Sequence, residues 1–371
     1  MKKNPFAYWS AVISRFLLAI TFVFSGFVKA IDPLGTVYKI EDYLKAFGGF
    51  FDMLMPLAEP AAICLICFEF LLGIALLFGV RNNLTGWFAL LMMLVMTPLT
   101  LYLAIKNPVS DCGCFGDAII LTNWQTFGKN VVLLVLVIVF LCTKKYLHNF
   151  LKPLAEWIIT LFALFFVCGW MTWTRLNLPL WDFRPYKVGN NIPELMSYPD
   201  DAEPDVYETT LIYSKNGVEH RFTLQDYPKN DSTWTFVEQQ SVLVKKGYEP
   251  PIHDFELIDE DFNDLTDELL EEEQIVVFAV MYDLEKTKKQ DLVRLQDLYE
   301  QCLRSGKRFY ALTGSGQTVV EDIRTEIGTT YPFCFVDPVT LKTIVRANPG
   351  IVEIKEGTII NKWNFRKNQI K

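Results

Sequence analysis

The sequence predicts an α-helical membrane bundle with five spans, followed by a C-terminal α/β domain. Of the 371 residues, 51% are hydrophobic, and the mean hydropathy is positive at +0.20. Residues 1–178 carry 13 basic and 9 acidic side chains, and the remainder carries 22 and 34, within a net charge of −8. This division predicts an apolar membrane region and an acidic water-soluble region. It excludes the basic face that is typical of nucleic-acid-binding proteins, so no nucleic acid is expected as a partner.

Five apolar stretches are each long enough, at about 20 residues, to cross a lipid bilayer as a helix. They are residues 9–31, 57–80, 84–105, 130–147 and 154–175. In the fourth stretch, residues 119–122 either extend the helix or form a re-entrant start. The first stretch has the charged start and apolar core of a signal peptide. It is too long for one and has no small-residue cleavage site, so we expect it to remain as a span.

Basic residues in the short loops predict the orientation of these spans. The two sides carry equal numbers, but the densest cluster, at 144–152, lies on the side of the N-terminus. We therefore expect a multi-pass protein of the bacterial inner membrane with a cytoplasmic N-terminus. Residues 111–117 and the C-terminal region are then periplasmic, where thiols meet an oxidising environment.

The water-soluble region divides into two predicted parts. Residues 179–248 predict a β-rich connector, with strands at 206–213 and 218–224 joined by a turn at 215–217. From residue 249 to 371 strands alternate with helices, which predicts an α/β domain. Its strands are expected at 275–281, 308–312, 333–336, 350–354 and 358–363, and its helices at 292–304 and 319–327.

Three groups of residues mark the membrane half. The first span and its end carry Arg15, Ser25-Gly26, Lys29 and Asp32-Pro33; the second carries Glu69, Gly73 and Gly79; the loop after the third reads Cys112-Gly113-Cys114-Phe115-Gly116. With these residues the chain resembles the DoxX/MauE group over residues 10–147 of a predicted transmembrane domain at 1–178, and CGCFG is the element of its MauE branch. The resemblance implies a four-helix DoxX-like core to which a fifth span is added, and a part in periplasmic thiol–disulfide chemistry.

The C-terminal region carries the segments PIHDF at 251–255, ANPGIV at 347–352 and KEG at 355–357. With these it resembles thioredoxin-like domains of the TlpA and peroxiredoxin type. The resemblance implies a cis-proline at Pro349, beside a groove that binds a client. The family places a CxxC dithiol after the first long central strand, where this chain has no cysteine at 282–286. We therefore expect residues 249–371 to form a thioredoxin-like domain without the usual dithiol.

Cys112 and Cys114 are separated by one glycine in the segment DCGCFGD. The two glycines of the segment permit sharp backbone turns. A disulfide across one residue closes a tight ring, and strained disulfides exchange readily. We therefore predict that the two cysteines form a redox pair.

Two alternatives to a redox pair remain open for this segment. In the first, the cysteines belong to a purely structural loop; in the second, each of them pairs with a cysteine elsewhere. No metal is expected, because no nearby histidine completes the ligands of a metal site. Asp111 and Asp117 flank the pair and are expected to raise the pKa of its thiols by like-charge repulsion.

Cys64 and Cys67 lie in the second span at positions i and i+3, which share a helix face. Glu69 lies slightly deeper, where a carboxylate is functional or paired, and Lys29 is its candidate partner. Core packing is one interpretation of these cysteines; a relay of electrons from the redox pair to a membrane quinone is the other. The remaining cysteines are expected to be inert: Cys142, Cys168, Cys302 and Cys334.

The sequence thus predicts an inner-membrane protein that takes part in periplasmic thiol–disulfide exchange. Its expected partners are a periplasmic client protein or a thioredoxin-like redox partner, together with the lipid bilayer. A quinone is the one cofactor suggested by the proposed relay. The alternative is a non-enzymatic, membrane-anchored scaffold or assembly factor whose thioredoxin-like domain binds a client.

Overall fold

The computed structural model describes residues 4–109, 111–147, 151–199, 201–204, 206–215, 217–229, 231–245 and 247–366. Within these residues, five helices are long and apolar enough to cross a membrane. They are α1 (Pro5–Ile31), α3 (Ala58–Phe78), α4 (Asn82–Lys106), α5 (Asn123–Thr143) and α6 (Pro153–Asn177). The prediction of five membrane helices is confirmed.

The first four of these long helices form a bundle around one shared core. Leu18 of α1, Leu76 of α3, Met93 of α4 and Val137 of α5 are buried there. The fifth helix, α6, packs on the outside of this bundle, where Val167 lies in a second apolar cluster formed with α1 and α3. The arrangement is the predicted four-helix core with one added span.

A further helix, which the sequence analysis did not predict, follows α1 at the end of the bundle. This helix, α2 (Pro33–Phe47), is capped by Asp32, whose side chain accepts a hydrogen bond from the Gly35 N–H at 3.0 Å. A 3-10 helix (Gly49–Leu57) then leads into α3. These two pieces build one wall of the site described below.

The start of α5 differs from its prediction. Thr122 and Gln125 form a capping box, in which each side chain accepts from the other residue's backbone N–H. The helix therefore begins at Asn123 rather than at residue 130, and residues 119–122 do not extend it. A 3-10 turn (Lys144–Tyr146) follows its C-terminal end.

The C-terminal region forms a six-stranded sheet in the order β4-β7-β6-β5-β8-β9. Its strands are β4 (Ile258–Asp259), β5 (Val276–Met281), β6 (Arg308–Thr313), β7 (Phe333–Phe335), β8 (Gly350–Lys355) and β9 (Thr358–Asn364). Its helices are α8 (Thr266–Leu270), α9 (Lys289–Arg304), α10 (Gln317–Ile327) and α11 (Pro338–Ile344). All predicted strands and helices of this region are present; β4, α8 and α11 were not predicted.

The topology is that of a thioredoxin fold. Strands β5, β6 and β7 are parallel, β8 and β9 continue the sheet antiparallel to β5, and a cis peptide bond at Asn348–Pro349 precedes β8. The central strand is buried on both faces because Phe278 points into one apolar layer and Val277 into the other. The predicted thioredoxin-like fold is confirmed.

The β-rich connector is a three-stranded antiparallel sheet in the order β2-β1-β3. Its strands are β1 (Val206–Lys215), β2 (Val218–Thr223) and β3 (Thr235–Lys245). The predicted hairpin is present, although Asn216 of its turn lies outside the described residues; β3 was not predicted. Before this sheet, α7 (Ile192–Met196) and Tyr186 pack into the core of the thioredoxin-like domain.

Candidate functional site

The segment 111–117 forms a compact loop between α4 and α5, with its two sulfur atoms adjacent. Gly113 and Gly116 have φ angles of 63° and 53°, which only glycine adopts without strain. The resulting turn brings Cys112 Sγ and Cys114 Sγ to 3.0 Å from each other. Both cysteines are half-buried. The loop therefore holds the two thiols within bonding reach of each other.

Three side chains from α1 and α2 fix this loop. The Tyr43 hydroxyl donates to the Cys112 carbonyl oxygen at 2.5 Å, and Ser25 Oγ lies 2.7 Å from the Cys114 carbonyl oxygen. Lys39 Nζ forms an ion pair with Asp111 Oδ2 at 2.6 Å. The loop is thus held at both cysteines and at its start.

An ion pair lies directly beneath the loop, inside the bundle. Lys29 Nζ lies 2.8 and 2.7 Å from the two carboxylate oxygens of Glu69, and both side chains are buried. The predicted partnership of Lys29 and Glu69 is confirmed. Burying two charges in an apolar bundle is costly unless they pair with each other and are hydrogen-bonded, as Lys29 and Glu69 are.

Ser25 connects this ion pair to the dithiol loop. Its hydroxyl accepts from Lys29 Nζ at 3.2 Å and lies 2.9 Å from Glu69 Oε2, besides its contact with Cys114. A serine hydroxyl has one proton, so it donates to either the carboxylate or the loop carbonyl at any moment. The loop and the ion pair therefore share one hydrogen-bond network.

Two glycines explain why α1 and α3 come close enough to form the ion pair. A Cβ atom at Gly26 would lie 2.6 Å from the Phe70 nitrogen, and one at Gly73 would lie 2.4 Å from the Val23 nitrogen. Only glycine permits this close approach of two helix backbones. The motif residues of the first two spans thus converge on the underside of the dithiol loop.

The two thiols differ in pKa because their surroundings differ. The hydrogen bond from Cys112 is the main cause that lowers the pKa of Cys114 to about 6; burial opposes this shift, and the charges of Lys129 and Lys29 support it. The same hydrogen bond and burial raise the pKa of Cys112. Cys114 is therefore the thiolate of the pair, and the prediction that flanking aspartates raise both pKa values is wrong for Cys114.

The flanking aspartates do not raise the pKa of Cys114, because each of them lies beside a cation. Asp111 is neutralised by Lys39, and Asp117 faces Arg346 at 3.4 Å. Meanwhile the Lys129 ammonium stands 4.4 Å above the ring of Phe115, next to Cys114. Each flanking acid thus lies beside a cation from another part of the fold, and Lys129 adds a further cation that supports the effect of the Cys112 hydrogen bond.

The thioredoxin-like domain contacts the bundle on the side that carries the dithiol loop. Arg346, three residues before the cis-proline, is buried and forms an ion pair with Asp32 at 2.7 Å. Its guanidinium also lies 5.2 Å from the ring centre of Tyr38, which contacts Tyr282 edge-on at 6.3 Å. The loop and the C-terminal domain therefore lie on one side of the bundle, as the five-span prediction requires.

These interdomain charges are mutually dependent. Burial works to raise the pKa of Asp32, but the charges of Arg346 and Arg184 and the hydrogen bonds to the carboxylate together outweigh it, and the pKa is lowered. Burial raises the pKa of Asp117, which Arg346 only partly offsets. Arg346 therefore acts on both Asp32 and Asp117, and the charge of Arg184 supports it at each.

Two cavities meet at the dithiol loop. The interdomain cavity, of about 210 Å³, lies between bundle and thioredoxin-like domain, and Asp32 and Arg346 are among its lining residues. The bundle cavity, of about 180 Å³, lies behind the loop and is lined by both Cys112 and Cys114. Because Gly113 lines both cavities, the loop forms the wall between them.

The other predicted pair, Cys64 and Cys67, is not brought to this site. Neither cysteine is among the described residues that line the bundle cavity. Cys67 Sγ lies 3.9 Å from Cys168 Sγ of α6, and Cys64 is exposed on the outside of the bundle. Cys142, which is expected to be inert, is exposed as well.

The two cysteines of the thioredoxin-like domain are buried. Burial raises the pKa of Cys302 to about 11 and that of Cys334 to about 12. The position of the usual dithiol, after β5, holds Tyr282 and Asp283, and the Asn348 side chain donates to the Asp283 carbonyl oxygen at 2.8 Å. Pro349, predicted to border a client groove, is buried, and Arg346 of the same loop contacts the bundle.

Sequence reasoning missed three site residues: Tyr43, Lys129 and Arg346. The helix that carries Tyr43 was not predicted, and Lys129 stands just before the residue where α5 was expected to begin. Arg346 directly precedes the ANPGIV segment, which was the available signal for it. Its partner Asp32 is 314 positions away in the chain, and no local pattern reveals such a pairing.

Two family models match the chain. Residues 7–143 match the model described as methylamine utilisation protein MauE. This match covers α1 to α5 with the dithiol loop and confirms the resemblance predicted for the membrane half. Residues 207–246 match a domain of unknown function, DUF8463, which coincides with the three-stranded sheet. No curated protein sequence matches the chain.

Several solved structures are similar to part of the chain. One is described as a protein disulfide isomerase from Bacteroides thetaiotaomicron, with 13% identity over 31% of this chain and 77% of that chain and a TM-score of 0.26. Another is the thioredoxin domain of a thiol-disulfide oxidoreductase from Bacteroides vulgatus, with 15% identity, 29% and 81% coverage and a TM-score of 0.24. StoA from Bacillus subtilis has 16% identity, 30% and 87% coverage and a TM-score of 0.25.

Proposed function

We propose, from the MauE match of the membrane region and the geometry of its loop, that this protein is a membrane-bound thiol–disulfide exchange protein. Cys112 and Cys114 are its redox pair. The observation that carries the proposal is the 3.0 Å separation of the two sulfur atoms in a loop that divides two cavities. Both cysteines line the bundle cavity, and Gly113 between them also lines the interdomain cavity.

The exchange step follows from the unequal thiols. When the pair is a disulfide, a partner thiolate attacks Cys112 Sγ, the bond between the two cysteines breaks, and its electron pair stays on Cys114. Cys114 is the better leaving group, because a thiol with a low pKa leaves faster. The second partner thiolate then attacks the mixed disulfide and releases Cys112. The partner loses two electrons and two protons and gains a disulfide, while the pair becomes reduced.

The partner class is a periplasmic dithiol protein, and the location is the bacterial inner membrane with the loop facing the periplasm. An oxidising compartment on that side suits a pair that accepts electrons. The electrons leave through a membrane quinone. The pair Cys64 and Cys67 is not needed for this transfer, because Cys112 and Cys114 themselves line the cavity inside the bundle.

The test is to trap thiols with maleimide-polyethylene glycol in acid-quenched membranes from cells that produce the full chain. We expect Cys112 and Cys114 to be oxidised together, and Cys114→Ser to accumulate mixed disulfides through Cys112. Cys142→Ser is the matched control, because it removes an exposed thiol of the same bundle. If both thiols stay fully reduced, and Cys112→Ser leaves the thiols of other envelope proteins unchanged, the proposed exchange is wrong.

A second candidate function is a non-enzymatic scaffold whose thioredoxin-like domain binds a client. The missing dithiol at 282–286 favours it. A scaffold tolerates Cys112→Ser and fails with Pro349→Ala, whereas the exchange protein fails with Cys112→Ser. Growth or client maturation in a strain that lacks the protein, complemented with either variant, distinguishes the two.

A further inference from the structure

The bundle cavity has an apolar wall and a polar end. Its apolar wall comes from all four core helices: Phe22, Leu65, Met92, Met93, Met96 and Leu133. Its polar end holds Lys29, Glu69 and the two cysteines of the loop. Ligand sites are typically apolar clefts with a small number of placed polar groups, and this cavity has that composition.

The cavity is sized for one small ring. Its volume is about 180 Å³, and an apolar protein cavity of about 150 Å³ binds benzene. Three methionines line it, and methionine side chains adapt to flat and irregular partners. The ligand is therefore a ring whose apolar body contacts these side chains and whose polar atoms face the Lys29–Glu69 pair.

Such a ligand also has to exchange electrons with the adjacent dithiol. A thiol pair changes by two electrons, and a redox partner inside a lipid bilayer has to be apolar. A quinone head group combines a flat ring, carbonyl oxygens that accept hydrogen bonds, and a two-electron, two-proton reduction. A lipid acyl chain matches the apolar wall alone and has no oxygen atom for the polar end of the cavity.

We propose that the bundle cavity binds the head group of a membrane quinone, with the ammonium of Lys29 exchanging its 3.2 Å contact with Ser25 Oγ for a hydrogen bond to a quinone carbonyl oxygen. This inference rests on the proposed function of Cys112 and Cys114 and names the site of their electron acceptor. It assigns Lys29 and Glu69 to acceptor binding and proton transfer.

The reaction balances within this site. The reduced pair loses two electrons as the bond between Cys112 Sγ and Cys114 Sγ forms, and the quinone takes both electrons. The quinone also needs two protons to become a quinol. One comes from the Cys112 thiol. The Lys29 ammonium, which Glu69 holds in place, donates the other and takes a proton back from solvent water after the quinol has formed. No other oxidant or reductant enters.

The first experiment measures single-turnover oxidation in lipid nanodiscs. Full-length protein is reduced, freed of reductant and mixed with ubiquinone-1 or 2,3-dimethyl-1,4-naphthoquinone, and quinone absorbance is followed. We expect one quinone reduced per Cys112–Cys114 pair. Met96→Trp fills the cavity and should slow this reaction at least tenfold. Leu94→Trp is the matched control, because Leu94 is on the same helix and 55% exposed on the outside of the bundle.

A parallel assay separates this inference from the proposed function. The same reduced proteins are mixed with glutathione disulfide, a water-soluble probe of thiol exchange. If glutathione disulfide oxidises the pair and neither quinone does, the exchange function stands and the quinone site is wrong. If neither probe oxidises the pair, the exchange function itself is wrong. Equal quinone rates in Met96→Trp and Leu94→Trp also overturn the site.

The role of the Lys29–Glu69 ion pair is tested by removing its charges. Lys29→Gln leaves Glu69 buried without its cation and can unfold the bundle, so the double variant Lys29→Gln, Glu69→Gln keeps the test falsifiable by removing both charges. We expect the folded double variant to reduce quinone at least tenfold more slowly and to lose the pH dependence of that rate. An unchanged rate and pH profile would assign the pair a structural role only.

Discussion

The chain has two places where dithiol chemistry is expected, and they differ in what they lack. The end of β5 has the thioredoxin-like fold around it, but residues 282–286 contain no cysteine. The loop at 111–117 has the two cysteines, and it lies in a helical bundle rather than in a thioredoxin fold. The cysteine pair and the thioredoxin-like fold thus belong to different regions of one chain, and Tyr282 after β5 contacts Tyr38 of α2 beside the loop.

The comparison teaches what makes a thiol reactive. Cys302 and Cys334 lie in the thioredoxin-like domain, where burial raises their pKa values to about 11 and about 12. Cys114 has a pKa near 6, because a hydrogen bond from Cys112 and nearby lysines stabilise its thiolate. Local donors and cations determine reactivity, and the fold contributes only by holding them in place.

The largest expected effect comes from removing the reactive sulfur. Cys114→Ser should lower the rate of disulfide exchange by about 10³-fold or more, because a loss of this order is typical when a nucleophile is deleted. The rate is measured with glutathione disulfide and purified full-length protein. Cys302→Ala, in the thioredoxin-like domain, serves as the control and should retain the wild-type rate. A similar loss in both variants would remove the distinction between the two regions.

The next effect concerns the contact between the regions. Arg346→Gln leaves the carboxylates of Asp32 and Asp117 without their cation, and breaking a buried pair costs about 3–5 kcal/mol. We expect faster hydrogen–deuterium exchange in α2 and in the loop, and a lower unfolding temperature. Arg304→Gln is the matched control, because its pair with Glu300 is exposed at 3.9 Å. Identical exchange in the two variants would show that Arg346 does not hold the domains together.

The third effect is a pH dependence. The Cys114 thiolate forms as the pH rises through about 6, so alkylation by iodoacetamide should reach half its maximal rate near pH 6 rather than near pH 9. Lys129→Gln removes a cation that lowers this pKa, and the midpoint should rise by about 1 pH unit. Alkylation is followed by mass spectrometry of the loop peptide. A midpoint near 9 in the wild-type protein contradicts the electrostatic account of Cys114.

The smallest effect is expected in the thioredoxin-like domain. Cys302 and Cys334 should remain unmodified in the native protein at pH 7, because they are buried and their pKa values are raised. Denatured protein, in which both become labelled, gives the reference. Native labelling at the rate of Cys114 would mean that the domain retains reactive thiols.

The sequence predicted the elements better than the site. Strands such as β5 and helices such as α9 follow local apolar patterns, and five spans follow from length and hydropathy. The pairing of Lys29 with Glu69 was also predictable, because a buried carboxylate needs a cation. The charge around the loop was not, since Arg346 reaches it from another domain and Lys129 from another helix. Local reasoning counted the two aspartates and could not count the cations that oppose them.

The most direct test of the central claim is differential alkylation of the protein in native membranes, read by mass spectrometry of each cysteine peptide. Thiols are blocked with one reagent before reduction and with a second after it, under cycles of reducing and oxidising buffer. The account predicts that Cys112 and Cys114 change state together, as a two-electron pair, while Cys302 and Cys334 do not change. Independent behaviour of Cys112 and Cys114, or a change confined to Cys302 and Cys334, would contradict it.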